Sequence, residues 1–455
     1  MNKKILFILI ALFILLRIPS LFEPYWHGDE GITLTVGQTI ARGAVLYRDI
    51  TDNKTPLLYF IAALAGNLFN FKLITLVFSL GALITFIRVR DMMIRSPEYI
   101  SLLLFAVLAS TPLLEANIAN AEIYMVLPII VSVIAYMKKR YVLAGVLGAF
   151  SFLLKPPGMF EVGALMLHAL LTDKYYKSVI SKIAFGFSIP IAVISIYFLS
   201  VGGLSSFVSE AFVSNILYTG SWYLITDPKV WMMIKLGGLG AFVWYLVRSK
   251  RLYQSSELLL YLWLLFSLFG ATLSNRPYSH YLIQIVPPVS LLLGSILRKN
   301  YRKAPAVILL GAVIFFCIVQ FKLHGGTLYY TYSYYSQFHN PAFFDQRVTV
   351  TDEVTDYILK NTRENEPIFV WSDNSLIYAK TKRPAATKYV SAYHVAGNAD
   401  REEEVMDTLQ KNSPRVIVIT KPIDHTFKSL LLFVEMRYNL AVTTDQFDIY
   451  ELKSD

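Results

Sequence analysis

Charge is scarce in this sequence, and cysteine is all but missing. Only 16% of the 455 residues are Asp, Glu, Lys or Arg, against about 25% in an average soluble domain. The single cysteine, Cys317, sits in an apolar run, so no disulfide can form within the chain and no cysteine-based zinc site can be built. GxGxxG and P-loop signatures are also missing, which removes the common nucleotide-binding motifs. Internal repeats and low-complexity runs are not found. What fills the space is hydrocarbon: 55% of residues are hydrophobic and the mean hydropathy is +0.49. Unpaired charge inside a bilayer is costly, and this composition is what a bilayer selects.

The formal charge of +10 is unevenly distributed. Residues 1–339 hold 28 Lys/Arg against 14 Asp/Glu, whereas residues 340–455 hold 14 against 18. The basic excess therefore belongs to the apolar part, where it sets orientation and attracts anionic headgroups, and nucleic acid is not an expected partner. Segments near the roughly 20 apolar residues that a span requires fall at about 5–22, 71–89, 98–114, 123–137, 141–155, 158–172, 180–200, 229–247, 256–273, 281–297 and 304–321. The first is read as an uncleaved span, because Arg17, Pro19 and Glu23 stand where a signal peptide needs small residues.

Basic residues mark alternate ends of these segments. Lys3 and Lys4, then Arg88, Arg90 and Arg95, then Lys138, Lys139 and Arg140 begin a pattern that continues to Arg298, Lys299, Arg302 and Lys303. The positive-inside rule places the N-terminus in the cytoplasm, and an odd span count sends the tail outside. The first outer loop, 23–70, contains an apolar stretch from Pro56 that suits a helix at the interface better than a crossing. Near residue 340 the pattern changes to amphipathic stretches (352–361, 401–412, 427–438) alternating with β-rich runs (367–371, 415–420, 448–452). The expected architecture is a polytopic α-helical membrane protein of about eleven transmembrane helices, residues 1–339. A small extracytosolic α/β domain, 340–455, follows it.

The outer loops carry a chemical mixture that the basic inner loops lack. His27-Gly28-Asp29-Glu30 is followed by Asp52-Asn53-Lys54-Thr55-Pro56. Glu115 and Glu122 flank Asn117 and Asn120, Lys155-Pro156-Pro157 makes a turn, and Asn275-Arg276-Pro277-Tyr278-Ser279-His280-Tyr281 opens a late span. A carboxylate here can take a proton from an attacking hydroxyl, and a lysine can stabilise a phosphate leaving group. Each charge read singly also fits an interfacial anchor, as Tyr281 fits the aromatic belt. Trp222, Tyr218 and Tyr223 in the loop 202–227 could stack on sugar faces or anchor at the interface.

In order and spacing, Asp29-Glu30, Asp52-x-Lys54-x-Pro56, Asn120-Ala121-Glu122, Leu154-Lys155-Pro156-Pro157 and Ser279-His280-Tyr281-Leu282 through Pro287-Pro288 resemble the GT-C superfamily of membrane glycosyltransferases. The resemblance is to protein O-mannosyltransferases and lipid A aminoarabinose transferases, over most of residues 10–297. It implies inverting transfer from a polyprenyl-phosphate sugar to an acceptor protein, glycolipid or glycan at the outer face of the cytoplasmic membrane. In that pattern Asp29 is the general base, Glu30 supports it, and Lys54 and Arg276 meet the donor phosphate. Glu122, Lys155, His280 and Tyr281 would line the substrate site. Glu122 departs from the commoner Asp at its position. Because Lys54 can neutralise a monophosphate, no cofactor and no obligatory metal are expected, with an oligosaccharyltransferase-like divalent ion as the alternative. Competing readings of the same loops are a transporter or flippase, a ligase using a diphosphate donor, and a scaffold presenting the tail.

Overall fold

The structure is a computed structural model that describes residues 3–22, 27–94, 99–215, 228–249, 257–274, 276, 278–301, 327–337, 347–422 and 425–453. Ten of the eleven expected spans are helical, and the eleventh, 304–321, lies outside the described residues with Cys317. Five helical stretches are long and apolar enough to cross a membrane: Lys4–Phe22, Leu68–Met93, Tyr176–Ser200, Val230–Arg248 and Ser279–Ile296. Shorter apolar helices include Ala121–Met137, Tyr141–Leu154 and Leu258–Ala271. The expected span 98–114 is cut short. Its helix, Ile100–Leu108, stops before Ser110 and Thr111, and a 3₁₀ turn follows at Pro112–Leu114. Thr111 caps that turn by accepting from the Leu113 backbone N–H, and Pro112 lacks the N–H a continuing helix would need.

Two units organise the chain. The first comprises residues 1–21, 72–199 and 213–336; the second comprises 22–71, 200–212 and 337–455. Within the first, helices pack as membrane helices do, through small residues that let backbones approach. A Cβ on Gly145 would strike the Ile183 carbonyl and one on Gly186 the Val142 carbonyl, so this glycine pair sets the contact between Tyr141–Leu154 and Tyr176–Ser200. Arg17, almost fully buried, donates to the carbonyls of Ala109 and Ala116, tying the end of the first helix to the segment that leads to Glu122. Arg90, expected as a loop anchor, is buried with its Nε 3.1 Å from Asp91 Oδ1.

The second unit joins the expected tail domain to the first outer loop. Its four-stranded sheet has the order β1-β2-β4-β3, where β1 is Ile368–Trp371, β2 Val416–Thr420, β3 Tyr438–Thr443 and β4 Phe447–Leu452. β1 and β2 run parallel and the β3–β4 hairpin is antiparallel. Strand β3 is absent from the sequence expectation. It is an edge strand whose residues after Tyr438 are largely exposed, so it lacks the alternation that marks a half-buried strand. Phe369, Trp371, Ile417, Ile419, Leu430 and Phe433 form the core beneath helices Ala399–Lys411 and Lys428–Arg437.

The segment 27–70 packs on this domain through helix Gly28–Ala41, whose first turn carries Asp29 and Glu30, favourably placed against the positive end of the helix dipole. Gly31 touches the backbone of Leu376 and Gly37 that of Ala62 and Ala63, so no side chain fits at either position. Thr35 Oγ1 donates to the Ser375 carbonyl (2.9 Å) and Gln38 Nε2 to that of Ala379 (3.1 Å). Helix Pro56–Ala65 ends on left-handed Gly66, and its ten residues, roughly 15 Å, cannot cross a hydrocarbon core of roughly 30 Å.

The orientation expected from the basic loops has a direct test. With Cys317 replaced by Ser, a cysteine at exposed Asp407 should react with a membrane-impermeant maleimide added outside intact cells. Labelling that requires lysis would place the tail in the cytoplasm.

Candidate active site

The catalytic candidates from the first outer loop meet in the second unit. The segment between helices Gly28–Ala41 and Pro56–Ala65 is held in shape by two tyrosines: Tyr47 donates to the Lys54 carbonyl (2.6 Å), and the Lys54 N–H donates to Tyr59 Oη (3.1 Å). The Thr51 N–H donates to the Lys388 carbonyl (2.9 Å), fixing the same segment to the tail domain. These bonds present Asp52 and Lys54 side by side. Lys54 Nζ donates to Asp29 Oδ1 at 2.8 Å and to Asp52 Oδ2 at 3.2 Å.

Asp52 is the buried member, with no exposed side-chain surface. Its Oδ2 also accepts from Tyr59 Oη (2.6 Å), and its Oδ1 accepts from the Asn53 N–H (2.7 Å) and lies 3.2 Å from His394 Nε2. Burial works to raise the Asp52 pKa. The positive charge of Lys54, that of His394 where it is protonated, and the two hydrogen bonds outweigh it and hold the carboxyl below its ordinary range. Burial would likewise strip Lys54 of its proton, but Asp29 and Asp52 hold its pKa above the ordinary lysine value. Burial, reinforced by the negative charge of Asp52, pushes the Tyr47 and Tyr59 phenols up, so they act as neutral donors. His394 is pushed down chiefly by burial, with Asp52 pulling the other way, which leaves a neutral imidazole near pH 7.

Asp29 keeps about a third of its side chain exposed (31%), whereas Glu30 is 1% exposed and turns into the body of its unit. The two adjacent carboxylates therefore differ in surroundings: Asp29 is partly open to solvent and Glu30 is enclosed. Lys54 uses two of its three N–H donors, and among the described residues the third has no protein acceptor.

A second cluster lies in the first unit and gathers four of the remaining candidates. Lys155 pairs with Glu122, and its ammonium sits 4.3 Å from the Tyr281 ring centroid, within cation–π range. His280 lies on the 3₁₀ turn Ser279–Ile285, with Nδ1 2.6 Å from Glu115 Oε2 and Nε2 3.7 Å from Glu122 Oε1. Ser279 Oγ donates to Glu115 Oε1 (3.2 Å), so Glu115 anchors the turn. Arg276 is half-buried on the stretch leading into it. Trp222, Tyr218 and Tyr223 lie outside the described residues. Among those described, no group of three or more His, Cys, Asp or Glu is arranged to hold a metal ion.

Sequence reasoning missed His394 and did not give Asp52 a role of its own. Asp52 had a signal, being two residues from Lys54 in the same loop. His394 had none, because only the folded chain brings it to residue 52.

Comparison with known proteins agrees with this architecture. Two crystal structures of ArnT from Cupriavidus metallidurans match, one bound to undecaprenyl phosphate and one in the apo state. The first matches over 99% of this chain and 98% of its own, with TM-score 0.64 and 12% identity; the second over 98% and 97%, with TM-score 0.63 and 12% identity. The chain thus has the fold of ArnT over nearly its whole length, with a small α/β domain at its C-terminal end. Residues 350–453 match a family model described as "Putative competence-induced protein Ccs4 C-terminal domain". No curated protein matches the sequence.

The buried pair makes a stability prediction. Lys54→Met leaves Asp52 ionised and enclosed without its cation, a change that typically costs about 3–5 kcal/mol. Thermal unfolding in detergent should show a large drop for Lys54→Met and a small one for Asp29→Asn, whose carboxylate is partly solvated. Equal midpoints for Lys54→Met and wild type would show that Asp52 does not depend on Lys54.

Proposed function

We propose that this chain transfers a sugar from a polyprenyl-phosphate donor to an acceptor hydroxyl, with inversion, at the outer face of the cytoplasmic membrane. The observation that carries the reading is the Asp29–Lys54–Asp52 chain: a partly exposed carboxylate and a largely enclosed ammonium with one donor to spare, in a chain with the fold of ArnT. That ArnT was crystallised with undecaprenyl phosphate supports a lipid monophosphate as the donor's carrier.

The chemistry follows from these groups. A donor phosphate oxygen takes the third N–H of Lys54, a charge-assisted hydrogen bond. Sharing the ammonium with phosphate weakens its hold on Asp29 and makes that carboxylate a better proton acceptor. The acceptor oxygen attacks the anomeric carbon and forms the new C–O bond while its proton passes to Asp29. The bond from the anomeric carbon to the phosphate oxygen breaks, and polyprenyl phosphate leaves with the electron pair, its charge stabilised by Lys54. Lys54 supplies the positive charge that a metal would otherwise provide. Glu122, Lys155, His280 and Tyr281 are assigned to substrate binding, offering carboxylate, ammonium, imidazole and an aromatic face suited to sugar hydroxyls, and the Arg276 guanidinium is assigned to the donor phosphate.

Asp29→Asn keeps size and hydrogen bonding but cannot accept the proton. With undecaprenyl-phosphate sugars as donors, the variant should lose about 10²- to 10⁴-fold in kcat, the usual contribution of a general base, while folding and binding undecaprenyl phosphate. Wild-type turnover in a folded Asp29→Asn protein would remove Asp29 from the mechanism.

A further inference from the structure

Besides the backbone bond from Thr51 to Lys388, the tail domain reaches the Asp52 loop through the side chain of His394. His394 ends the 3₁₀ turn Ala392–His394, and the domain fixes that turn from both sides. Ser391 Oγ and the Tyr393 N–H both donate to Asp373 Oδ1 at 2.8 Å, and the Ala392 N–H donates to the Ser372 carbonyl (3.0 Å). Arg401 Nη1 donates to the His394 carbonyl (2.8 Å), and Arg401 Nη2 is itself held by Glu210 at 3.1 Å. The imidazole projecting from this rigid turn places Nε2 3.2 Å from Asp52 Oδ1.

Three features set this contact apart from ordinary packing. It completes the shell of a fully buried carboxylate whose opposite oxygen holds Lys54, so the order runs His394, Asp52, Lys54, Asp29. It spans 342 positions of sequence, and the fold has to bring a separate domain to the loop to make it. The second nitrogen, Nδ1, is buried and has no hydrogen-bond partner among the described residues. Buried polar atoms are normally hydrogen-bonded, so an unsatisfied one beside the Asp52 shell calls for an explanation.

Resting on the transferase reading above, we infer that His394 is a positioning residue of the transfer reaction, through which the tail domain holds Asp52, and by it Lys54, in the geometry that serves Asp29. Neutral, the imidazole packs its Nε2 against Asp52 Oδ1 at 3.2 Å without adding charge. Asp52 then keeps its Oδ2 on Lys54, and the ammonium stays aligned between base and leaving group. Misplacement by about an ångström in such a network costs on the order of 100-fold in rate. The groups facing His394 are Asp52, Lys54, Arg401 and, farther along, Asp29.

The experiment uses the full chain in detergent, with undecaprenyl-phosphate sugars as donors and undecaprenyl phosphate as the binding probe. His394→Ala should lower kcat at least tenfold while the donor KM and the Kd for undecaprenyl phosphate change less than threefold. His394→Asn, which keeps an N–H donor near Asp52, should recover most of the lost kcat. Thermal midpoints of both variants should stay near wild type. Wild-type kcat in His394→Ala overturns the inference, as does equal loss in both variants together with a collapsed midpoint, which would make the residue structural. A wild-type chain that neither binds undecaprenyl phosphate nor turns over any donor fails differently, by overturning the transferase reading itself.

Discussion

Asp52 is an ionised carboxylate with no exposed surface, and the architecture of the second unit follows from keeping it satisfied. An isolated buried carboxylate would protonate or unfold its surroundings. Here a loop supplies the Asn53 N–H, an outer-loop helix supplies Tyr59, the same loop supplies Lys54, and the tail domain supplies His394. Two stretches far apart in sequence, residues 52–59 and residue 394, are thereby committed to one arrangement. Satisfying Asp52 also fixes Lys54, and Lys54 in turn fixes Asp29, so the partly exposed carboxylate is the free end of a chain whose other end is anchored.

The backbone makes that arrangement possible. Gly31 and Gly37 let helix Gly28–Ala41 lie directly on residue 376 and on helix Pro56–Ala65, closer than any side chain would permit. The adjacent carboxylates of its first turn then diverge, Asp29 toward solvent and Glu30 into the interior. Two acids that look equivalent in sequence receive different environments because successive residues on a helix point about 100° apart.

Much of this was legible before folding was considered. Apolar runs give helices because hydrocarbon tolerates no unsatisfied backbone, and ten of the expected spans are helical on that ground alone. Asp29 and Lys54 were legible as charged motifs some 25 residues apart, and the fold pairs them at 2.8 Å. Glu122, Lys155 and His280 were legible as a chemical mixture, although the role of Glu115 in holding His280 was not. Strand β3 was hidden because an exposed edge has no alternation to show. His394 was hidden for a deeper reason: a lone histidine in a tail domain carries no local sign of its partner, and only tertiary packing supplies one.

The central claim is that Lys54, released in part from Asp29, receives the donor phosphate. The most direct measurement is a cryo-electron microscopy structure of the chain in nanodiscs containing undecaprenyl phosphate. The account predicts phosphate density within hydrogen-bond distance of Lys54 Nζ, with Asp29 beside it and Asp52 still on the ammonium. Phosphate bound elsewhere, with the Lys54–Asp29 pair closed and undisturbed, would contradict it.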